Sequence, residues 1–404
     1  MKPKILPSDR VLTFVTWLLV LFGLVMVFDA SYAHGLAFYK DGWYFARKQI
    51  AHAAGGLVAL RFLSRLDYGR LRGFAPLAFG GSVMLLVLVP MVGNASLGGQ
   101  RWLSLGPIGI QPSELAKPAL ILAAALALQR WPGIATRTWP FVGFCVAAGV
   151  PILLTERQPD LGTAITMAMG VAGILIVAGT RKRFLGGALV VAVALVAAMV
   201  LLPGRGSSAP GEAGKPHFRL RRFAVLSDPG QSRYGDGLQN WHSYVALANG
   251  GLRGVGFTNS MEKRVGGVPM QRTDFIYAIV GEEFGLVGTV IVLTLFLLVG
   301  VRGYGIACRC RDPFGQYLAV GITTGIVGQA ALNIAVVTGV VPVTGVPLPL
   351  ISYGGAALLT TLASIGVLLN ISRIPFRRDS ESGDAPVVAA GPVRGRGVER
   401  TWAR

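Results

Sequence analysis

Charge is scarce in this chain. Of its 404 residues only 14% are Asp, Glu, Lys or Arg, where a soluble domain carries about a quarter. Acidic residues are scarcer still, 19 against 38 Lys and Arg. Cysteine is almost missing: Cys145 sits in an apolar run, and Cys308 and Cys310 flank an arginine in a short basic loop. None lies in the long polar stretch after residue 203, so no disulfide holds that stretch. A lone Cys-Arg-Cys lacks the partners of a zinc site, and four scattered histidines supply no metal cluster.

Apolar residues are abundant instead, at 52%, together with 55 glycines. Lipid is therefore the expected solvent, and the glycines suit close approach of helix backbones in a bilayer. The formal net charge of +19 would suit nucleic acid. Here the basic residues fall between apolar runs, so topology explains them and no nucleic-acid partner is expected.

A helix that crosses the hydrocarbon needs about 20 apolar residues. Ten candidate spans follow: 11–28, 50–63, 76–92, 113–128, 140–154, 161–179, 184–202, 275–301, 314–337 and 350–371. The second and fifth are short. The first follows Lys2, Lys4 and Arg10 and resembles a signal peptide, but it exceeds the usual apolar core of one and reads as a retained helix. The expectation is an all-α polytopic membrane protein of about ten transmembrane helices. Lys and Arg of the short loops, such as Arg181, Lys182 and Arg183, place the N-terminus in the cytoplasm, and an even count returns the C-terminus there. Residues 1–378 then form one transmembrane domain, with a large basic extracytoplasmic loop, 203–273, between helices 7 and 8. Residues 379–404 read as a disordered cytoplasmic tail. Within the loop, 204–214 reads as mobile and 240–248 as a helix lying against the membrane.

Ionisable groups near membrane depth are costly unless paired or wet, and four places carry them. In Gln111-Pro112-Ser113-Glu114-Leu115-Ala116-Lys117, Pro112 suits a first helical turn, and Glu114 and Lys117 share a face at i, i+3. They form either a structural ion pair or a cavity where Lys117 meets an anionic head group. In Gln158-Pro159-Asp160-Leu161-Gly162-Thr163, Asp160 caps a helix or contacts substrate. In Arg272-Thr273-Asp274-Phe275-Ile276, where the long loop re-enters, Asp274 is either an N-cap or a carboxylate placed as a general base, with Glu282 and Glu283 deeper on the same helix. Gln329 and Asn333, at i, i+4, suit helix–helix hydrogen bonds. Pro342, Pro347 and Pro349, with Ser352-Tyr353-Gly354-Gly355, then break the helix at membrane depth, which requires protein or a wet cavity around it.

These motifs resemble the SEDS family, whose best-known members are FtsW and RodA. The matching stretches are Gly99-Gln100-Arg101-Trp102, Gln111 to Leu115 with Lys117, and Gln158 to Thr163. They continue with Gly250-Gly251 with Gly254 and Gly256, Thr273 to Ile276 with Gly281-Glu282-Glu283, and Pro347 to Gly355. Gly281 and Asn259-Ser260 with Lys263 look more like FtsW; Gly345-Val346-Pro347 looks more like RodA; the balance leans to FtsW. Arg272 stands where the family usually has His, and His242 where Gln commonly precedes Ser243, although Gln239 is kept.

The resemblance implies a peptidoglycan glycosyltransferase of the bacterial inner membrane. It would polymerise lipid II and release undecaprenyl pyrophosphate, in division or elongation. Asp274 matches the family's essential aspartate. Substrate contacts are expected from Lys117, Glu114, Arg101, Gln111, Ser113, Asp160, Arg221, Arg222, Gln239, Ser243, Lys263 and Ser352. A divalent cation, Mg or Mn, would assist the leaving group, although no motif demands one. The implied partners are a class B penicillin-binding protein and the division or elongation machinery. A lipid II flippase and a non-enzymatic scaffold for a transpeptidase are the rival classes. A flippase moves substrate without making polymer, and a scaffold tolerates loss of Asp274.

Overall fold

The computed structural model describes residues 8–96, 99–105, 108–201, 237–265 and 271–373. The expected mobile stretch at 204–214, Arg221, Arg222 and the tail lie outside the described residues. All ten expected spans coincide with helices. Seven precede the loop: α1 (Arg10–Tyr39), α2 (Tyr44–Leu63), α3 (Leu71–Val92), α4 (Pro112–Arg130), α5 (Thr138–Arg157), α6 (Leu161–Val177) and α7 (Lys182–Leu201). The loop contributes α8 (Leu238–Gly250), over the stretch expected to be helical, and the short α9 (Met261–Val265). α10 (Ile276–Arg309), α11 (Pro313–Val337) and α12 (Gly355–Ile371) complete the chain. The two short runs lengthen through their polar flanks, α2 to 20 residues and α5 to 20. The last run shortens, because residues 350–354 are irregular.

Among the described residues, five helices meet the length and hydropathy needed to cross a bilayer: Arg10–Tyr39, Tyr68–Val92, Thr138–Arg157, Ile276–Arg309 and Pro313–Val337. Polarity is inverted relative to a water-soluble fold. Phe14, Val58, Leu77, Leu189 and Val301 are exposed on the outside, while Gln49, Glu114, Asp160, Glu282, Glu283 and Asn333 are buried inside. This is an all-α multi-pass membrane fold. Without water outside, the helices associate through packing and interhelical hydrogen bonds rather than hydrophobic burial.

One β element was not expected. Asn94 to Ile110 forms an antiparallel meander, β1 (Asn94–Ser96), β2 (Gly99–Leu105) and β3 (Ile108–Ile110), which pairs Asn94 with Trp102 and Leu103 with Ile110. β1 and β3 have three residues each, and β2, GQRWLSL, lacks strict polar–apolar alternation.

α10 is also broken, at Gly285, where φ is 65° and ψ −159°. Such a φ suits glycine. The loop after α8 crosses this gap. Val255 and Gly256 donate to the Glu282 and Glu283 carbonyls at 2.9 and 3.1 Å, and Leu286 and Val287 donate to Gly251 and Leu252 at 2.9 and 3.3 Å. The backbone groups freed by the kink are thus satisfied by protein, as a bilayer demands.

The bundle has two distinct ends. At one, the Asp9 amide donates to Ser372 Oγ at 3.1 Å and the Asp9 carboxylate accepts from Arg302. The start of α1 and the ends of α10 and α12 therefore meet there. Asp274 stands at the other end, roughly 40 Å away along α10 at 1.5 Å per residue.

Candidate active site

Asp274 sits on a five-residue turn that leads into α10. The N-cap position of α10 falls to Phe275, the residue after Asp274. The residue Asp274 is half-buried, and the backbone that carries it is held in place. Three successive carbonyls are occupied: Tyr353 N donates to Arg272 O at 2.8 Å, Ser352 Oγ to Thr273 O at 2.5 Å and Asn333 Nδ2 to Asp274 O at 2.7 Å. A base carried on such a segment is pre-oriented rather than recruited.

The holding residues belong to α11 and to the irregular segment between α11 and α12. Asn333 also donates to Val346 O at 2.7 Å, and Gln329 to Pro347 O at 2.9 Å. Gln329 also makes the expected helix-to-helix bond, accepting from Lys117 of α4, and both amides tie down a proline-broken backbone, because the prolines leave its carbonyls without helical partners. Ser352 accepts from Leu348 N at 2.9 Å. Gln49 of α2 donates to Ser352 O at 3.1 Å and accepts from Gly354 N at 3.4 Å. Arg272 lies 4.2 Å over the Phe45 ring, and burial pushes this guanidinium below its ordinary pKa.

Two further polar groups converge on the same segment. Lys117 contacts Glu114 at 2.8 Å and donates to Gln329 Oε1 at 2.8 Å, while Thr360 donates to Glu114 at 3.4 Å. A cavity of about 40 Å³ opens beside Lys117, Gln329 and Thr360. Asp160 caps α6 through Thr163 N at 3.3 Å and also accepts from Ser113 at 3.1 Å and Gln111 at 3.2 Å. Arg101 donates to the Gln158 and Pro159 carbonyls, so its guanidinium braces the α5–α6 turn. Gly162 places the α6 start against Thr344 and Val346, where any β-carbon would clash.

Other expected contacts lie elsewhere. Ser243 donates to Val337 O at 2.9 Å, and Gln239 is half-buried on α8. Lys263 turns into the bundle toward Asp29 and Glu283. Sequence reasoning missed Gln49 and Asp29. Each is a polar residue flanking an apolar run, Asp29 just after the first and Gln49 just before the second, and its cost at membrane depth was the available signal.

This arrangement matches known proteins along its length. The family described as cell cycle protein, FtsW/RodA/SpoVE, matches residues 9–375. The chain belongs to that family. Family relatives include the probable peptidoglycan glycosyltransferase FtsW of Geobacter metallireducens, 35% identical over 90% of this chain and 94% of that one. Stage V sporulation protein E of Bacillus subtilis is 35% identical over 92% and 99%. The peptidoglycan glycosyltransferase MrdB of Escherichia coli is 35% identical over 80% and 84%. Among solved family structures, a chain of a peptidoglycan synthase complex studied for its coordination of polymerization and crosslinking superposes with a TM-score of 0.73. That chain is 30% identical, over 91% of this chain and 98% of its own length. The rod shape determining protein RodA of Thermus thermophilus superposes with a TM-score of 0.66 at 28% identity, over 92% and 98%.

Proposed function

We propose that the chain polymerises lipid II with Asp274 as general base. Its glycosyltransferase activity in peptidoglycan synthesis follows from the family and its named relatives. The assignment of Asp274 rests on one observation: the three carbonyls of Arg272, Thr273 and Asp274 are each held by a separate donor. Such fixing suits proton transfer, which needs a base within hydrogen-bond reach of one hydroxyl.

In this reading the 4-hydroxyl of a GlcNAc attacks C1 of a lipid-linked MurNAc. Asp274 accepts the hydroxyl proton, the new C1–O bond forms, and the bond from C1 to pyrophosphate breaks with its electron pair leaving on undecaprenyl pyrophosphate. A single displacement inverts the α-linked donor to a β-linkage. Lys117, with Arg221 and Arg222 of the loop, supplies positive charge for the pyrophosphate. Among the described residues no three His, Cys, Asp or Glu gather to hold a metal. An Mg or Mn ion would supply charge for the leaving pyrophosphate, and the step is derived without it.

The FtsW-like lean, the cytoplasmic placement of both termini, residence in the bacterial inner membrane and pairing with a class B penicillin-binding protein belong to the same proposal. Asp274 then lies at the outer face, where lipid-linked sugars are joined. Reconstitution with lipid II tests the base. Asp274→Asn, folded as judged by monodisperse elution, should polymerise about a hundredfold to ten-thousandfold more slowly. Wild-type polymer yield from this variant would remove Asp274 from the mechanism.

A further inference from the structure

A second group of buried charges lies outside the cluster around Asp274. Asp29, Lys263 and Glu283 are 6, 8 and 0% exposed. Lys263 Nζ sits 2.6 Å from both Asp29 oxygens and 2.8 Å from Glu283 Oε1. Asp29 belongs to α1 and Glu283 to α10, two helices that pack together, whereas Lys263 arrives from α9 in the long loop. Without the lysine, two carboxylates would face each other in a buried interface, an arrangement that is strongly unfavourable.

The neighbouring side chains grip the same segment. Glu282 accepts from the Ser260 hydroxyl and from the amides of Met261 and Glu262, at 3.0 and 3.4 Å for the amides. His242 of α8 contacts Glu262 at 2.6 Å. Farther along, Gln271 donates to Ala30 O at 3.0 Å. The outer end of α1 therefore holds the chain on both sides of residues 266–270, through Asp29 before them and Ala30 after. Three residues beyond Gln271 comes Asp274.

We infer that Lys263 is a positioning residue, and that its clamp on Asp29 and Glu283 sets the register of the arm that delivers Asp274. This rests on Asp274 being the base. The clamp replaces the earlier expectation that Lys263 contacts substrate, because its ammonium is enclosed by two carboxylates. It also couples α9 to the bundle, since α9 cannot withdraw without leaving unmatched the charges of α1 and α10.

Steady-state polymerisation of lipid II by the full-length protein in proteoliposomes separates the roles. Lys263→Met should lower kcat about tenfold or more, since small misplacements of a catalytic group have large effects, and leave KM within about twofold. The exchanged pair Asp29→Lys with Lys263→Glu retains one ammonium between two carboxylates and should recover most of the lost rate. It also covers the case in which Lys263→Met alone does not fold. A raised KM with unchanged kcat, or a folded exchanged pair with no recovery, would overturn the clamp. Asp274→Asn, assayed alongside, reports separately: full activity there defeats the base assignment, whereas recovery in the exchanged pair speaks only to the clamp.

Discussion

Around Asp274, backbone carbonyls are held by neutral side chains, while at the opposite end of α10, charges are held by opposite charges. Gln49, Gln329, Asn333 and Ser352 bond to carbonyls of residues 273, 274, 346, 347 and 352. At the other end, Asp9 pairs with Arg302 at 2.5 Å and Arg309 at 3.8 Å, and Arg72 with Asp312 at 2.6 Å. The difference has a physical basis. Amides and hydroxyls fix geometry without adding a fixed charge of their own beside Asp274, which suits the proposed base. Partly exposed ion pairs fix helix ends at little desolvation cost, because water still shares the charge. In the proposed mechanism the first arrangement serves chemistry and the second attachment.

Asn333→Leu should break the first kind of end most severely. Two carbonyls lose their donor, yet interhelical hydrogen bonds in membrane proteins average only about 0.6 kcal/mol, so thermal unfolding should show a loss of roughly 1–2 kcal/mol. The Asp274 segment loses its tether, and lipid II polymerisation should fall about a hundredfold. A rate change in proportion to the small stability loss would mean that the tether does not position the base.

That asymmetry also explains what could be read in advance. Long apolar runs announced the helices, because a bilayer imposes length and polarity on every crossing segment. Glu114 with Lys117 was legible from i, i+3 spacing, and Asp160 and Asp274 from their place at helix starts. Asn333 was visible as a polar residue, but its partners were not, since they are carbonyls 13 and 59 residues away. Backbone acceptors carry no signature in side-chain identity. The Gly285 break escaped notice for a related reason: it depends on the 251–256 loop crossing the helix, a tertiary event that local glycine content does not encode.

Lys117→Met comes next in size and sharpens the comparison, because it tests a charge placed among amides. The variant leaves Glu114, nearly fully buried, without its cation, which should cost about 3 kcal/mol and slow polymerisation about tenfold or more. The neutral pair Glu114→Gln with Lys117→Met should recover the thermal stability but not the rate, if the ammonium serves the pyrophosphate. Recovery of both would reduce the lysine to a counterion.

Asp9 gives the smallest effect and one confined to the attachment end. Burial tends to raise its pKa, but hydrogen bonds from Arg302 and the Leu12 amide, with the charges of Arg302 and Arg309, outweigh it and hold the carboxyl below its ordinary value. A depressed folded pKa means stabilisation that is complete above the unfolded value, about 4, and that is lost as pH falls through the folded one. Asp9→Asn should therefore lower stability by about 1 kcal/mol at pH 7 and show a shallower loss of Tm on acidification than the parent protein. Polymerisation at neutral pH should stay within about twofold, because this end lies roughly 40 Å along α10 from Asp274. A large rate loss in Asp9→Asn would show that the two ends are coupled through α10, across its kink at Gly285.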